Sequence, residues 1–283
     1  MGSFRTVEIA PSEASEFADL LFSIQKGQID LAIVRGVIAP SECARVVSLL
    51  ERDLNAWSWT LQETLDPEAP QFRLIGESLT PYAGHPEGPS LSHYFDEATH
   101  FRALCRELFG ASFDFERRLE DLWGALGGGR AVELPAGLLP AARYTPATLR
   151  HLPPGCEIPV HVGNYFLTTP AYRHLATLVD LEDQLSYFIP LQNADRGGAL
   201  VVYHAEWGKV EAPEMTRALR ANWDDGGAPW PEERFAPAPG DLLVFNGGRY
   251  YHRVSRVAGE RARWTIGGFV GFSPDGKTVR YWS

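Results

Sequence analysis

Sulfur is scarce in this chain. Its three cysteines, Cys43, Cys105 and Cys156, are odd in number and widely spaced, with no Cys-x-x-Cys pair. That excludes a thiolate zinc cluster and a disulfide framework, and it makes a reducing, cytoplasmic setting the expectation. Cys43 and Cys105 fall on apolar helical stripes and read as buried thiols. Positive charge is short as well: 26 Lys and Arg face 36 Asp and Glu, a net charge of −10. Phosphate binding needs clustered cations, so a nucleic-acid partner is not expected. No apolar run approaches a membrane-spanning length, and no signal peptide opens the chain. Met1-Gly-Ser-Phe-Arg-Thr6 fits a myristoylation pattern too permissive to carry weight. Internal repeats, low-complexity tracts and obvious linkers are also missing, so one domain spanning residues 1–283 is the economical reading.

What is present divides near residue 130. Before it, apolar residues recur at helical spacing. Ser12 precedes Phe17, Leu20, Leu21 and Ile24; Pro40 opens a stripe of Cys43, Val46, Val47, Leu50 and Leu54. Two further helices carry Phe101, Leu104, Cys105, Leu108 and Phe109, then Phe115, Leu119, Leu122, Trp123 and Leu126. Leu31 to Ile38 reads as a strand, and residues 57 to 94 as one long loop with a candidate lid around Leu74 to Ser92. From about Arg143 the texture changes to short strand-like runs broken by Gly, Pro and Asp. The runs are 148–152, 158–166, 184–191, 199–203, 241–245, 251–257 and 264–272, with a short helix over 171–181. The expected class is α+β with a mainly β core, of sandwich or jelly-roll type, supported by N-terminal helices.

The chemistry centres on Ile158-Pro-Val-His-Val-Gly-Asn-Tyr-Phe166. On a strand His161 and Gly163 share a face. A His followed two residues later by Asp or Glu, with a distant second His, makes the facial triad of non-haem Fe(II). Here the carboxylate position is glycine. His252 is the candidate second ligand, although a lone strand histidine is more often a hydrogen-bonded structural residue. Arg263 and Thr265 share a strand face and can hold a carboxylate by charge-assisted bonds; Arg261 is the runner-up in a shifted register.

In sequence come His161, Gly197-Gly-Ala-Leu-Val-Val-Tyr203, Pro239-Gly-Asp-Leu-Leu-Val-Phe245, His252 and Arg263-x-Thr265. This order resembles the Fe(II)/2-oxoglutarate oxygenases, whose core is a double-stranded β-helix (a cupin-like jelly roll). His161-Val-Gly-Asn164 and Asp183-Gln-Leu-Ser-Tyr-Phe-Ile-Pro-Leu191 sharpen the likeness to the carrier-protein-independent halogenases of the WelO5 type, which chlorinate free hapalindole-type indole alkaloids. Thr145-Pro-Ala-Thr148 and Trp264-Thr-Ile-Gly-Gly-Phe269 look similar too. The resemblance implies Fe(II) on His161 and His252, and 2-oxoglutarate with its distal carboxylate on Arg263 and Thr265. It also implies O2 as oxidant and chloride or bromide in the space left by Gly163. Ser186 matches the serine thought to orient the reactive oxygen; Ile158 and Phe166 would border a small-molecule substrate. A carrier protein is not implied.

Alternatives remain at this stage. His204-Ala-Glu206 is by pattern a fuller His-x-acid pair than His161-Val-Gly163. In the resembled fold its strand is expected two strands, roughly 9–10 Å, from the one bearing the distal His. Glu157 lies about 13 Å along the strand from His161, too far to replace the missing ligand. A hydroxylase with water at the vacant position, and a non-catalytic β-helix that binds a small molecule, are the rival functions.

Overall fold

The computed structural model describes residues 3–52, 54, 57, 59–61, 72–79, 82, 91–110, 113–210 and 230–283. Its strands are β1 (Thr6–Ile9), β2 (Leu31–Val34), β3 (Thr60–Leu61), β4 (Arg73–Ile75), β5 (Ala131–Glu133), β6 (Thr148–Leu152) and β7 (Ile158–His161). They continue with β8 (Asp180–Gln192), β9 (Leu200–Glu206), β10 (Glu232–Phe235), β11 (Leu242–Phe245), β12 (Tyr250–Val254), β13 (Arg263–Phe272) and β14 (Thr278–Trp282).

Two sheets result. The larger runs β1-β2-β11-β8-β13-β6-β4-β3, with β14 and β5 attached through β13; the smaller runs β10-β9-β12-β7. From β6 to β13 the chain passes repeatedly between the sheets: β6 large, β7 small, β8 large, β9 and β10 small, β11 large, β12 small, β13 large. That winding is a double-stranded β-helix, as the resemblance implied.

Period-two alternation sorts the side chains. On β11, Leu242 and Val244 face the helices, while Leu243 and Phe245 face the smaller sheet. On β8, Tyr187, Ile189 and Leu191 point outward, and Phe188 points in. The outer face of the larger sheet is covered by α1 (Leu20–Gln25), α2 (Pro40–Arg52), α3 (Leu91–Phe109) and α4 (Phe115–Leu126). Their stripes, including Cys43, Val46, Leu50, Cys105, Leu119 and Trp123, join this core. Pro40 stands at the first position of α2, where its missing N–H costs nothing. Asp114 caps α4, its side chain accepting from Arg117 N at 3.0 Å. All three cysteines are free and buried, and burial raises every one of their pKa values. Among the described residues no helix is long and apolar enough to cross a membrane.

Several expectations need correction. The stretch before Gly27 is a 3-10 turn over Pro11–Phe17 followed by the short α1, not one helix. Residues 57–94 are not wholly loop: β3 and β4 extend the larger sheet from β6, and α3 begins at Leu91. Leu74, placed in the lid, is therefore a buried strand residue; residues 80–81 and 83–90 of the proposed lid lie outside the described residues. The helix expected over 171–181 is two 3-10 turns, Pro170–Tyr172 and Leu175–Thr177, running into β8. The strand expected over 158–166 stops at His161, and Gly163–Thr168 form a 3-10 turn that carries Phe166.

Candidate active site

Antiparallel pairing of β7 with β12 sets His161 opposite His252. Their ring centroids lie 4.2 Å apart at 55°. Each ring is locked the same way. His161 Nδ1 is 2.8 Å from the carbonyl of Pro159, and His252 Nδ1 is 2.8 Å from that of Tyr250. A carbonyl can only accept, so each Nδ1 carries the proton and each Nε2 keeps its lone pair. Burial lowers the pKa of both rings, and His161 depresses His252 further, so both are neutral near pH 7. Two neutral imidazoles with free Nε2 atoms on adjacent strands are suited to one divalent metal. Among the described residues no group of three or more His, Cys, Asp or Glu gathers anywhere to complete an all-protein site.

Beside the pair lies Gly163. Although β7 has ended, Val162 is still extended (φ −149°, ψ 136°), so Gly163 keeps to the same side as His161. The glycine is walled in. A Cβ built there would stand 2.9 Å from Gln184 Nε2, 3.1 Å from Gly247 O and 3.1 Å from Gly248 Cα. Gly163 N donates to Gly247 O at 2.8 Å, and Gly248 N to Gln184 O at 2.8 Å, which ties the wall together. A cavity of about 280 Å³ opens from it. His161, Gly163, Gln184, Ser186, His252, Arg263, Thr265 and Arg150 are among its polar and glycine lining; Ile158, Phe166, Phe72, Leu74 and Phe269 are among its apolar lining. His161, His252, Gly163, Ser186, Arg263, Thr265, Ile158 and Phe166, the leading candidates from the sequence, thus border a single space.

Two guanidiniums face that space. Arg263 is buried, its Cζ 5.2 Å from the Phe188 ring, and its Nε has no hydrogen-bond partner. Burial, and then the charge of Arg150, pull its pKa down to about 9, so it remains cationic at neutral pH. Arg150 pairs across the sheet with Thr265 in register. Burial lowers its pKa too, and it is partly buried where it borders the cavity. Neither makes an ion pair with a described acid, so each is a buried or partly buried cation that an anion in the cavity could pair with.

The rivals resolve. β9 is the direct neighbour of β12, with Val202 opposite His252 and Glu206 opposite Tyr250. The two-strand separation expected for His204 is therefore wrong as stated; β9 stands two strands from β7, not from the strand of His252. His204 still does not join the pair. Its Nε2 is 3.1 Å from Glu233 Oε1 and its ring stacks on Phe4 at 4.1 Å, while Glu206 pairs with Lys209 at 2.8 Å. Glu157 lies 3.7 Å from Arg256. Arg261 is exposed and bonds Asp195 at 2.7 Å, away from the cavity.

The carrier-protein-independent halogenase family WelO5 matches residues 3–283. The chain belongs to the WelO5 family. As a WelO5-type halogenase it is an oxidoreductase of the Fe(II)/2-oxoglutarate class. No curated protein matches it. Among solved structures it is similar to an N-substituted L-amino acid dioxygenase from Burkholderia ambifaria AMMD, in complex with alpha-KG. That likeness has 16% identity and a TM-score of 0.55, covering 94% of this chain and 91% of the other. The non-heme alpha-ketoglutarate-dependent epimerase SnoN from nogalamycin biosynthesis is similar at 11% identity and a TM-score of 0.50, covering 92% and 86%. These likenesses carry the fold.

Among the polar residues that border the cavity, Arg150 and Gln184 were not singled out from the sequence. Arg150 had a signal: it alternates with Thr148 and Leu152 on the inward face of β6, where a cation is out of place unless something anionic meets it. Gln184 had none beyond its membership of the Asp183–Leu191 segment.

Proposed function

We propose that this halogenase chlorinates an unactivated aliphatic C–H of a free-standing small molecule of indole-alkaloid type. The observation that carries the reading is the pair of neutral imidazoles beside an enclosed glycine, with no carboxylate gathered to them among the described residues. His161 and His252 would hold Fe(II) through Nε2. Bound iron, with 2-oxoglutarate and O2, supplies the oxidation that activates the C–H bond. Arg263 and Thr265 would receive the distal carboxylate of 2-oxoglutarate, where a buried cation with a free Nε needs an anion. Arg150 would add a second positive charge to the same cavity.

The space beside Gly163 would take the halide. An acidic side chain there would both fill it and repel the anion. Ser186 points into the cavity from β8 and offers a hydroxyl that can hold oxygen in place by hydrogen bonding while halogen is delivered. Ile158, Phe166, Phe72 and Phe269 give the remaining lining an apolar, aromatic character suited to the body of an indole-type substrate. The test is product mass. The iron- and 2-oxoglutarate-reconstituted protein, given candidate alkaloids with chloride, yields a product heavier by one chlorine in place of one hydrogen. Hydroxylated product alone at saturating chloride would make it a hydroxylase and refute the reading.

A further inference from the structure

β8 breaks its pairing in order to place Gln184. Leu185 lies opposite Val270 of β13, but the next pair is Asp180 with Phe272, so β8 bulges between them. Within that bulge Asp183 adopts φ +57°, a left-handed conformation uncommon for residues other than glycine but one that Asp tolerates. The conformation is held by its neighbours. Asp183 N donates to Asn164 Oδ1 at 3.1 Å, and Asn164 Nδ2 donates to Asp183 Oδ1 at 3.0 Å. Arg249 pairs with the same carboxylate, its Nε 3.1 Å from Oδ2. Gly248 N clamps the Gln184 carbonyl.

The side chain so placed is 1% exposed, and its Oε1 is buried without a partner. With that oxygen buried and unpaired, the other end of the amide is the one left to make a hydrogen bond. That other end, Nε2, points at Gly163, 2.9 Å from where a Cβ would be. Its N–H groups therefore face the space in which other members of the oxygenase class carry an acidic side chain.

We propose that the Gln184 carboxamide is the hydrogen-bond donor to the halide, and that it sets how tightly the halide is held. The proposal rests on the halide position argued above. A donor on a pinned bulge meets the anion without reorganising, whereas water in its place would have to be ordered anew. Oxygen-first, the same amide would repel the anion; nitrogen-first, it attracts it.

The measurement is anaerobic. Protein with Fe(II) and 2-oxoglutarate is titrated with chloride, and the halide-dependent shift of the metal-to-ligand charge-transfer band gives an apparent Kd. Gln184→Met, of similar length but without the donor, should weaken chloride by about ten-fold or more, as expected for one bond to a charged group. Its 2-oxoglutarate affinity should stay unchanged. Gln184→Glu should abolish the chloride response. Gln184→Met with the wild-type chloride Kd would overturn the role of Gln184 and leave the halogenase site standing. A wild-type band indifferent to chloride would instead bring down both the halide position and the proposal built on it.

Discussion

The two ends of the smaller sheet show the same amino acid in opposite circumstances. At one end His161 and His252 spend their Nδ1 protons on backbone carbonyls and turn unpartnered Nε2 atoms to a cavity. Two residues along β12, Tyr250 stands edge-on to Phe4, and Phe4 stacks on His204. There His204 Nε2 meets Glu233, whose Oε1 also accepts from Phe4 N at 2.7 Å. Residue type alone favours the second end as a metal site, since it has a histidine with carboxylates nearby. Partnering reverses that judgement. A ligand must have a free lone pair facing open space, and the only one of these ends with both is the one without an acid.

The largest effect should come from breaking that contrast directly. His161→Ala or His252→Ala should weaken Fe(II) by at least about 100-fold and abolish turnover, because a ligand rather than its support is removed. His204→Ala should leave the iron Kd unchanged and register only in thermal stability. Equal losses at both ends, measured by anaerobic iron titration, would erase the distinction. Gly163→Asp comes next. Its Cβ must displace the Gln184 amide and press on Gly247 and Gly248, and its carboxylate takes the halide's space. Chlorinated product should disappear while hydroxylation can persist; chlorination that survives the change would contradict the open position. Two arginines two residues apart, Arg261 just before β13 and Arg263 at its start, sharpen the comparison further. Arg263→Leu should raise the 2-oxoglutarate Kd by about 100-fold, the cost of leaving a buried anion unmet. Arg261→Leu, whose guanidinium is spent on Asp195, should leave it unchanged.

The parts legible in the sequence were those in which one residue's chemistry is local. The strand Thr148–Leu152 is bounded as its pattern predicts, and His161, His252, Arg263 and Thr265 were visible as types at strand spacing. What was not legible depends on pairing. The adjacency of β9 to β12 is a topological fact that no periodicity reports. β5, β10 and β14 join the sheets through their partners; β10, with its Glu232-Glu-Arg-Phe235 and no buried position, has no apolar alternation to announce it. Gln184 looks like an ordinary polar strand residue until the bulge around Asp183 turns it towards Gly163.

A third circumstance for histidine gives the smallest prediction. His151 is on β6, next to Arg150 but on the opposite face, 4.4 Å from Trp264 and 5.8 Å from Trp59 between ring centroids. It is 6% exposed, and its Nδ1 is sealed without a partner. Burial, followed by the charge of Arg73, lowers its pKa from 6.5 to about 4. Between those values the unfolded chain binds a proton that the folded chain refuses. The contribution of His151 to stability is therefore full above pH 6.5 and declines as pH falls towards 4, at about 1.4 kcal/mol per pH unit. His151→Phe keeps a flat ring between the tryptophans and cannot take the proton. Against wild type, the variant should gain about 1 kcal/mol in relative unfolding free energy between pH 7.5 and 5.5, because titration of all other groups cancels in the difference. Parallel stability curves for the two proteins over that range would mean that His151 takes up its proton as readily in the folded state as in the unfolded chain. It would then be a histidine reached by water, like neither the capped His204 nor the locked pair in the cavity.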